Sequence, residues 1–328
     1  MTLARSETVH EYEEGVYHCV SRCVRRAFLC GKDHHTGKSY DHRRKWILER
    51  LQFLTQIFAI EVLSYSCMEN HQHSLIRTRP DWLFSWGDEE IIERWFVLFP
   101  KRRDKLKRPL PPTREQIEAI LQDKKKMKEL RRRLGSVSWF MKCLNEYIAK
   151  RANAEDKCKG HFWEGRFKCQ RAEDDAGVLA CSVYIDLNPV RAGTAKTPEA
   201  SEYTSVRERC LSVRKWKKGA PEPTLWIAPV YGDKSRKGFL PISLEEYLSV
   251  VDSTGRLIQS GKRGVIPKDL PPILHRLGVQ SSGWRELVGR CSKIFSNVIG
   301  PEEALQKAAL QSGRAWIKGA PFARLVFG

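Results

Sequence analysis

No run of about 18 apolar residues occurs in this chain, so nothing in it reads as a membrane-spanning helix. The start of the chain also lacks the basic-then-apolar order of a secretory signal, and the cytoplasm is the expected location. Acidic residues are in deficit: 39 Asp plus Glu face 58 Lys plus Arg, a formal charge of +19. That balance implies a polyanionic partner, and without a spanning segment nucleic acid is favoured over an acidic membrane surface. No paired CxxC motif is present, and the ten cysteines are scattered along the chain, a pattern of free thiols rather than of a disulfide framework. Cys19 with Cys23, Cys158 with His161, and His34 with His35 each offer half of a zinc site, and none has a matching second half. Internal repeats and low-complexity tracts are lacking too. What is present is a chain of 328 residues with 41% hydrophobic and 10% aromatic content, enough to build packed cores in two domains.

From Gly15 to Arg26, Val16, Val20 and Val24 alternate with Tyr17, Cys19 and Cys23, the pattern of a strand buried on both faces. Residues 41–60 carry Trp46, Ile47, Leu51, Leu54, Ile57 and Phe58 at helical spacing. Two short extended runs follow, Glu61 to Cys67 and Gln72 to Thr78. A strand, a helix and a hairpin in that order predict an α+β sheet domain. An insertion is expected over about 79–113, with a short helix near Glu89 to Phe99, and then a long helix reaching about Ala154. Residues 101–133 hold 14 Lys or Arg against 5 Asp or Glu, which fits either a solvated helix face or a phosphate-contacting one.

A further strand is predicted from His161 to Gln170, with Phe162, Glu164, Arg166, Lys168 and Gln170 on one face and Trp163, Phe167 and Cys169 on the other. A helix beginning near Asp174 passes through Tyr184 and is expected to stop at Pro189, because the residue before proline avoids helical geometry. The first domain is placed at 1–212 and a basic linker at 213–237. A mainly helical second domain is placed at 238–328, with helical runs at Ser243–Val251, Pro271–Leu277, Trp284–Phe295 and Glu302–Ser312, suited to DNA binding or to docking.

Two constellations carry chemistry. His71 and His73 are two apart, so on a strand both imidazoles leave one face and can reach one cation. A lone His-X-His is equally a feature of polar surface and of direct phosphate contact. Tyr184 and Asn188 are four apart on a helix and share one side of it. A phenol beside a metal-held phosphate is a competent nucleophile and a carboxamide oxygen is a hard-metal ligand, although a tyrosine on a helix is ordinarily a core residue.

The order of these pieces, with Met68, Asn70, His71 and His73 in the hairpin, Phe162-Trp163-Glu164-Gly165-Arg166-Phe167-Lys168, and Tyr184-Ile185-Asp186-Leu187-Asn188-Pro189-Val190-Arg191-Ala192-Gly193, resembles the REP-associated tyrosine transposases of the HUH single-strand nucleases. The resemblance runs from about Gly15 to Thr194. It implies a ferredoxin-like antiparallel sheet with helices on one face, and a divalent ion, Mg2+ or Mn2+, held by His71, His73 and Asn188. Tyr184 would attack the scissile phosphate to give a 5′-phosphotyrosine link and a free 3′-hydroxyl. The implied partner is single-stranded DNA beside a hairpin, in a prokaryotic cytosol or nucleoid, with the protein either a monomer or a homodimer. Expected DNA contacts are Arg166, Lys168 and Arg191, with Lys124, Lys125, Lys126, Arg131, Arg132 and Arg133.

Gln72, Ser74 and Glu69 depart from the family's hairpin, which has apolar residues at the first two positions and proline at the third. A catalytically silent nucleic-acid-binding regulator therefore stands beside strand transfer, and replication initiation by the same nicking chemistry is a further alternative.

Overall fold

The computed structural model describes residues 12–24, 29–33, 37–172, 174–217, 225–229, 239–240, 242–257, 263–269, 271–272 and 302–311, with positions 315, 320–321 and 324. It divides into two compact units, Met1–Ile185 with Trp226–Pro241, and Asp186–Leu225 with Ile242–Gly328. No helix among the described residues is long and apolar enough to cross a membrane.

The first unit is built on a four-stranded antiparallel sheet in the order β2-β3-β1-β4, formed by β1 (Val16–Arg22), β2 (Ile60–Cys67), β3 (His71–Thr78) and β4 (Lys168–Ala172). The central β1 pairs with β3 from Val16 opposite Arg77 to Arg22 opposite His71, and with β4 from Val16 opposite Ala172 to Val20 opposite Lys168. Because side chains alternate across a strand, this register sets His18, Val20 and Arg22 beside His71 and His73 on one face. Tyr17, Cys19 and Ser21 lie on the other with Gln72 and Ser74. A three-residue connection, Met68 to Asn70, joins β2 to β3, closed by Met68 N–H donating to the His71 carbonyl at 2.9 Å.

Helix α1 (His42–Thr55) buries Ile47, Leu51 and Leu54 at helical spacing, and α6 (Val137–Glu155) buries Phe140, Leu144, Ile148 and Ala152 in the same way. Both serve the face opposite the histidines, where Asn145 of α6 donates to Ser21 Oγ at 2.8 Å. The fully buried Arg43 of α1 ties the two helices by pairing with Glu155 at 2.7 Å and with Asp156 at the end of α6. Breaking such a pair would strand a charge in the core.

Between β3 and α6 stand α2 (Pro80–Ser85), α3 (Asp88–Leu98), α4 (Arg114–Gln122) and α5 (Lys124–Leu134). The long helix expected up to Ala154 is two helices. Gly135 ends α5 where a Cβ would meet Leu83 Cδ2 at 2.6 Å, and Ser136 starts α6 by accepting from Trp139 N–H at 3.4 Å. The strand expected from His161 is also shorter. Residues 161–167 are irregular, joined to the chain at the end of β1 through the isolated bridge Cys23–Trp163, and regular pairing begins only at Lys168.

Helix α7 (Asp175–Arg191) spans the boundary between the units and carries Pro189 inside its last turn rather than ending before it. A proline there forgoes one bond to the carbonyl four residues back, and the helix continues only two residues beyond it. Thr194 N–H donates to the Pro189 carbonyl at 2.9 Å, and Gly193 N–H to the Val190 carbonyl at 2.9 Å. With Gly193 at φ +73°, these bonds form a Schellman cap, which accounts for the Asn-Pro-Val-Arg-Ala-Gly order.

In the second unit the 3-10 turn Pro198–Ala200, α8 (Ser205–Lys217), α9 (Leu244–Gly255) and α10 (Glu302–Gln311) are helical. Its core contains a buried polar knot in which the Asp186 carboxylate accepts from Ser205 and Tyr247 and pairs with Arg209 at 3.3 Å. The runs predicted at Pro271–Leu277 and Trp284–Phe295 lie almost wholly outside the described residues.

Candidate functional site

The histidine face of the sheet opens into a cleft of about 740 Å3. His71 and His73 enter it from β3, His18 from β1, Lys168 and Gln170 from β4, and Tyr184 from α7. Helices on one face of the sheet therefore describe α1 and α6 only, since α7 brings its tyrosine to the opposite face.

The His71 and His73 rings are 4.8 Å apart between centroids at 79°. His73 is 4% exposed and its Nδ1 lies 2.9 Å from His18 Nε2. His18 is also hydrogen-bonded to Gln170. With His18 donating its Nδ1–H to Gln170, the His18 Nε2 lone pair accepts from His73 Nδ1–H. His73 Nε2 is then left with a lone pair, and among the described residues it is a buried nitrogen with no hydrogen-bond partner. His71 Nδ1 lies 2.6 Å from Asn70 Oδ1, an acceptor that fixes the proton on Nδ1 and places the ring's lone pair on Nε2. Burial pushes the His73 pKa down to about 2, aided by the neighbouring His71 and His18, and burial lowers His18 as well. Both are thus neutral near pH 7, the form in which imidazole donates a lone pair.

Tyr184 is 49% exposed, which is not the environment of a core residue. Its ring stands edge-on to His73 at 5.5 Å and to His18 at 5.9 Å. The cleft wall holds three cations, Arg22, Arg166 and Lys168, against one carboxylate, Glu164, which lies 3.8 Å from Arg22. The arrangement suits an anionic group held between the imidazoles and the phenol.

No family model matches the sequence, and no curated protein matches it. A solved structure of a REP-associated tyrosine transposase bound to a REP hairpin is similar to this chain at 11% sequence identity and a TM-score of 0.37, covering 72% of this chain and 98% of that one. A likeness of that size establishes neither activity nor substrate for this chain.

The remaining candidate residues divide by placement. Asn188 is buried one helical turn beyond Tyr184, in the part of α7 that belongs to the second unit. Arg191 is turned inward, donating to the carbonyls of Thr254 and Leu257, so its guanidinium is spent on holding the end of α9 rather than offered to a strand. On α5, Lys124 and Lys125 are exposed, whereas Lys126 pairs with Glu129 at 3.3 Å and Arg132 is half-buried. Arg131 binds the Trp86 carbonyl and Asp88 at 2.9 and 2.6 Å, and Arg133 lies 4.3 Å over the Trp139 ring and pairs with Glu129. Arg131 thus braces the insertion, while Lys126 and Arg133 are paired within α5.

The nine cysteines among the described residues are free thiols, and no group of three or more His, Cys, Asp or Glu there could hold a metal ion. His34 and His35 lie outside the described residues. Any cation at the cleft would therefore rest on the two imidazoles together with oxygen ligands from carboxamide, phosphate or water.

Proposed function

We propose that this chain is a metal-dependent single-strand DNA endonuclease and strand transferase of the kind its motifs resemble, acting at hairpin or palindromic DNA. The observation that carries the reading is the half-exposed Tyr184 set edge-on against the buried, neutral His73 at the mouth of a basic cleft. The β-α-β-β-α-β order, with β1 and β3 central, fits the ferredoxin-like sheet expected of that family.

The donor set fits a divalent ion. Among the described residues His73 Nε2 is a buried nitrogen without a hydrogen-bond partner, and Asn70 orients His71 to present the matching lone pair. Asn188 would complete the set. When bound, Mg2+ or Mn2+ supplies Lewis-acid polarisation of a phosphoryl oxygen. The chain's own residues do the rest. Arg22, Arg166 and Lys168 draw the phosphodiester into the cleft, and the Tyr184 hydroxyl oxygen bonds to phosphorus as the bond to the 3′-oxygen breaks. The tyrosine loses its proton and the 3′-oxygen gains one, leaving a 5′-phosphotyrosine and a 3′-hydroxyl. Because one phosphoester replaces another, the step is reversible, as strand transfer requires.

One observation favours a second reading, a silent nucleic-acid binder. Gln72 is 1% exposed on the packed face of the sheet, and its Nε2 has no partner among the described residues. An unmet donor there loosens the hairpin that carries both histidines. Cleavage and binding measured side by side on a hairpin with a single-stranded flank separate the two. For the nuclease, Tyr184→Phe, His71→Ala and His73→Ala abolish Mn2+-dependent cleavage and keep most of the affinity, which phosphate contacts elsewhere provide. A wild-type protein that binds and never cuts is the silent binder.

A further inference from the structure

The insertion contains a second feature that the cleft chemistry does not use. Residues 101–108 read Lys-Arg-Arg-Asp-Lys-Leu-Lys-Arg, six cations and one carboxylate, and all six cations are exposed. This is not a loose charge run. Leu110 N–H donates to the Arg102 carbonyl at 3.1 Å, Asp104 N–H to the Arg108 carbonyl at 3.0 Å, and Lys107 N–H to the Asp104 carbonyl at 2.9 Å. Arg103 pairs with Pro109 as an isolated antiparallel bridge, and its guanidinium donates to the Lys107 carbonyl at 2.9 Å.

Asp104 organises the tip. Its carboxylate accepts from Leu106 N–H at 2.9 Å, from Arg108 N–H at 2.8 Å and from Arg108 Nε at 2.6 Å. These bonds, the Arg108 backbone first and its side chain next, hold the carboxyl below the usual carboxylate range. They also consume the one negative charge. Lys107 takes a left-handed φ of +62°, a conformation that costs a non-glycine residue and persists only where the surrounding bonds enforce it. At the tip Leu106 is 72% exposed, so it contributes nothing to the core.

We infer that residues 101–108 form a preorganised basic finger that grips duplex DNA, with Lys101, Arg102, Lys105 and Lys107 on phosphates and Leu106 inside a groove. The inference rests only on the DNA half of the proposed function, not on cleavage. A rigid two-stranded turn is a shape the major groove admits, and an apolar tip flanked by cations suits base edges between two phosphate rails. A strand held at the cleft and a stem held by the finger would be two separate contacts on one hairpin. An anionic membrane would also attract six cations, but a single leucine gives little apolar area to insert, so duplex is the better match.

The test uses the full-length chain in EDTA and three probes: a DNA hairpin with a duplex stem and single-stranded flank, the flank alone, and phosphatidylserine vesicles. The variant R102Q/K105Q/K107Q leaves Arg103, Asp104 and Arg108 to brace the turn, and an unchanged melting temperature shows that it folds. Each lost phosphate contact removes roughly 0.9 from the slope of log Kd against log salt, so the hairpin slope flattens by about 2 to 3 while binding to the flank alone is unchanged. Leu106→Ala weakens hairpin binding about fivefold with the slope intact. An unaltered hairpin slope overturns the inference, and so does a loss confined to vesicles or shared equally by the flank. Cleavage failing while the slope still flattens refutes the nuclease and leaves the finger standing.

Discussion

The neutrality of His73 has a consequence for stability that can be worked out. In the folded chain its pKa lies at about 2, pushed there by burial and by the adjacent His71 and His18, while in the unfolded chain it returns to 6.5. The unfolded state therefore binds a proton that the folded state refuses. Stability from this group is fully present above pH 6.5, is lost as pH falls from there, and goes on falling until about pH 2. Between about pH 7 and about pH 5.5 the loss is roughly 1.3 kcal/mol, since one pH unit of differential protonation corresponds to about 1.4 kcal/mol. The perturbation is His73→Asn, which removes the titrating group from the same strand position. The assay is urea unfolding in EDTA at both pH values for both proteins. The wild type should lose about 1.3 kcal/mol more than the variant over that interval. An equal loss in the two proteins would mean that His73 takes up a proton as readily in the folded chain as in the unfolded one, and would refute the burial that holds it neutral.

Three other outcomes follow from single contacts. Asn70→Ala removes the acceptor that orients His71, and Mn2+ affinity measured calorimetrically should drop by roughly 10- to 100-fold with little change in melting temperature. Asp186→Ala strands the buried Arg209 and takes the acceptor from Ser205 and Tyr247; denaturant unfolding should register a loss of about 3 to 5 kcal/mol, far more than Tyr247→Phe causes. Gly193→Ala forces a side chain onto φ +73° in the cap of α7, and thermal unfolding should show about 1 to 2 kcal/mol of destabilisation.

The parts of the fold that depend on local periodicity were legible. The hairpin, the first helix and the amphipathic α9 follow from alternation and from helical spacing, and His71 with His73 on one face follows from the period of two. Parts that depend on remote pairing were not. His18 sits between Tyr17 and Cys19 in a run that reads as buried on both faces, and only the β1–β3 register sets it against His73. Arg191 belongs to the most distinctive motif of the sequence, yet its partners are carbonyls more than sixty residues away that no local pattern announces. The break at Gly135 and Ser136 carried a readable signal, a helix-ending glycine followed by a capping serine, outweighed by the length of the helical pattern around it. Pro189 misled for the opposite reason: the aversion of the residue before proline to helical geometry is only a tendency, and the helix runs two residues past the proline before the Gly193 cap closes it. In the insertion, the excess of Lys and Arg was visible, but which cations brace α3 and α5 and which stand free of the core on 101–108 required the coordinates.

The central claim is that the Tyr184 phenol and the His71–His73 pair act on one phosphodiester. Its most direct test is to trap the chain on a hairpin with a single-stranded flank in Mn2+, denature, digest with protease and nuclease, and sequence the nucleotide-bearing peptide by mass spectrometry. The account predicts a nucleotide joined through its 5′-phosphate to Tyr184, absent from His73→Ala. A nucleotide on any other residue, or an adduct at Tyr184 that forms equally well without His73, would contradict it.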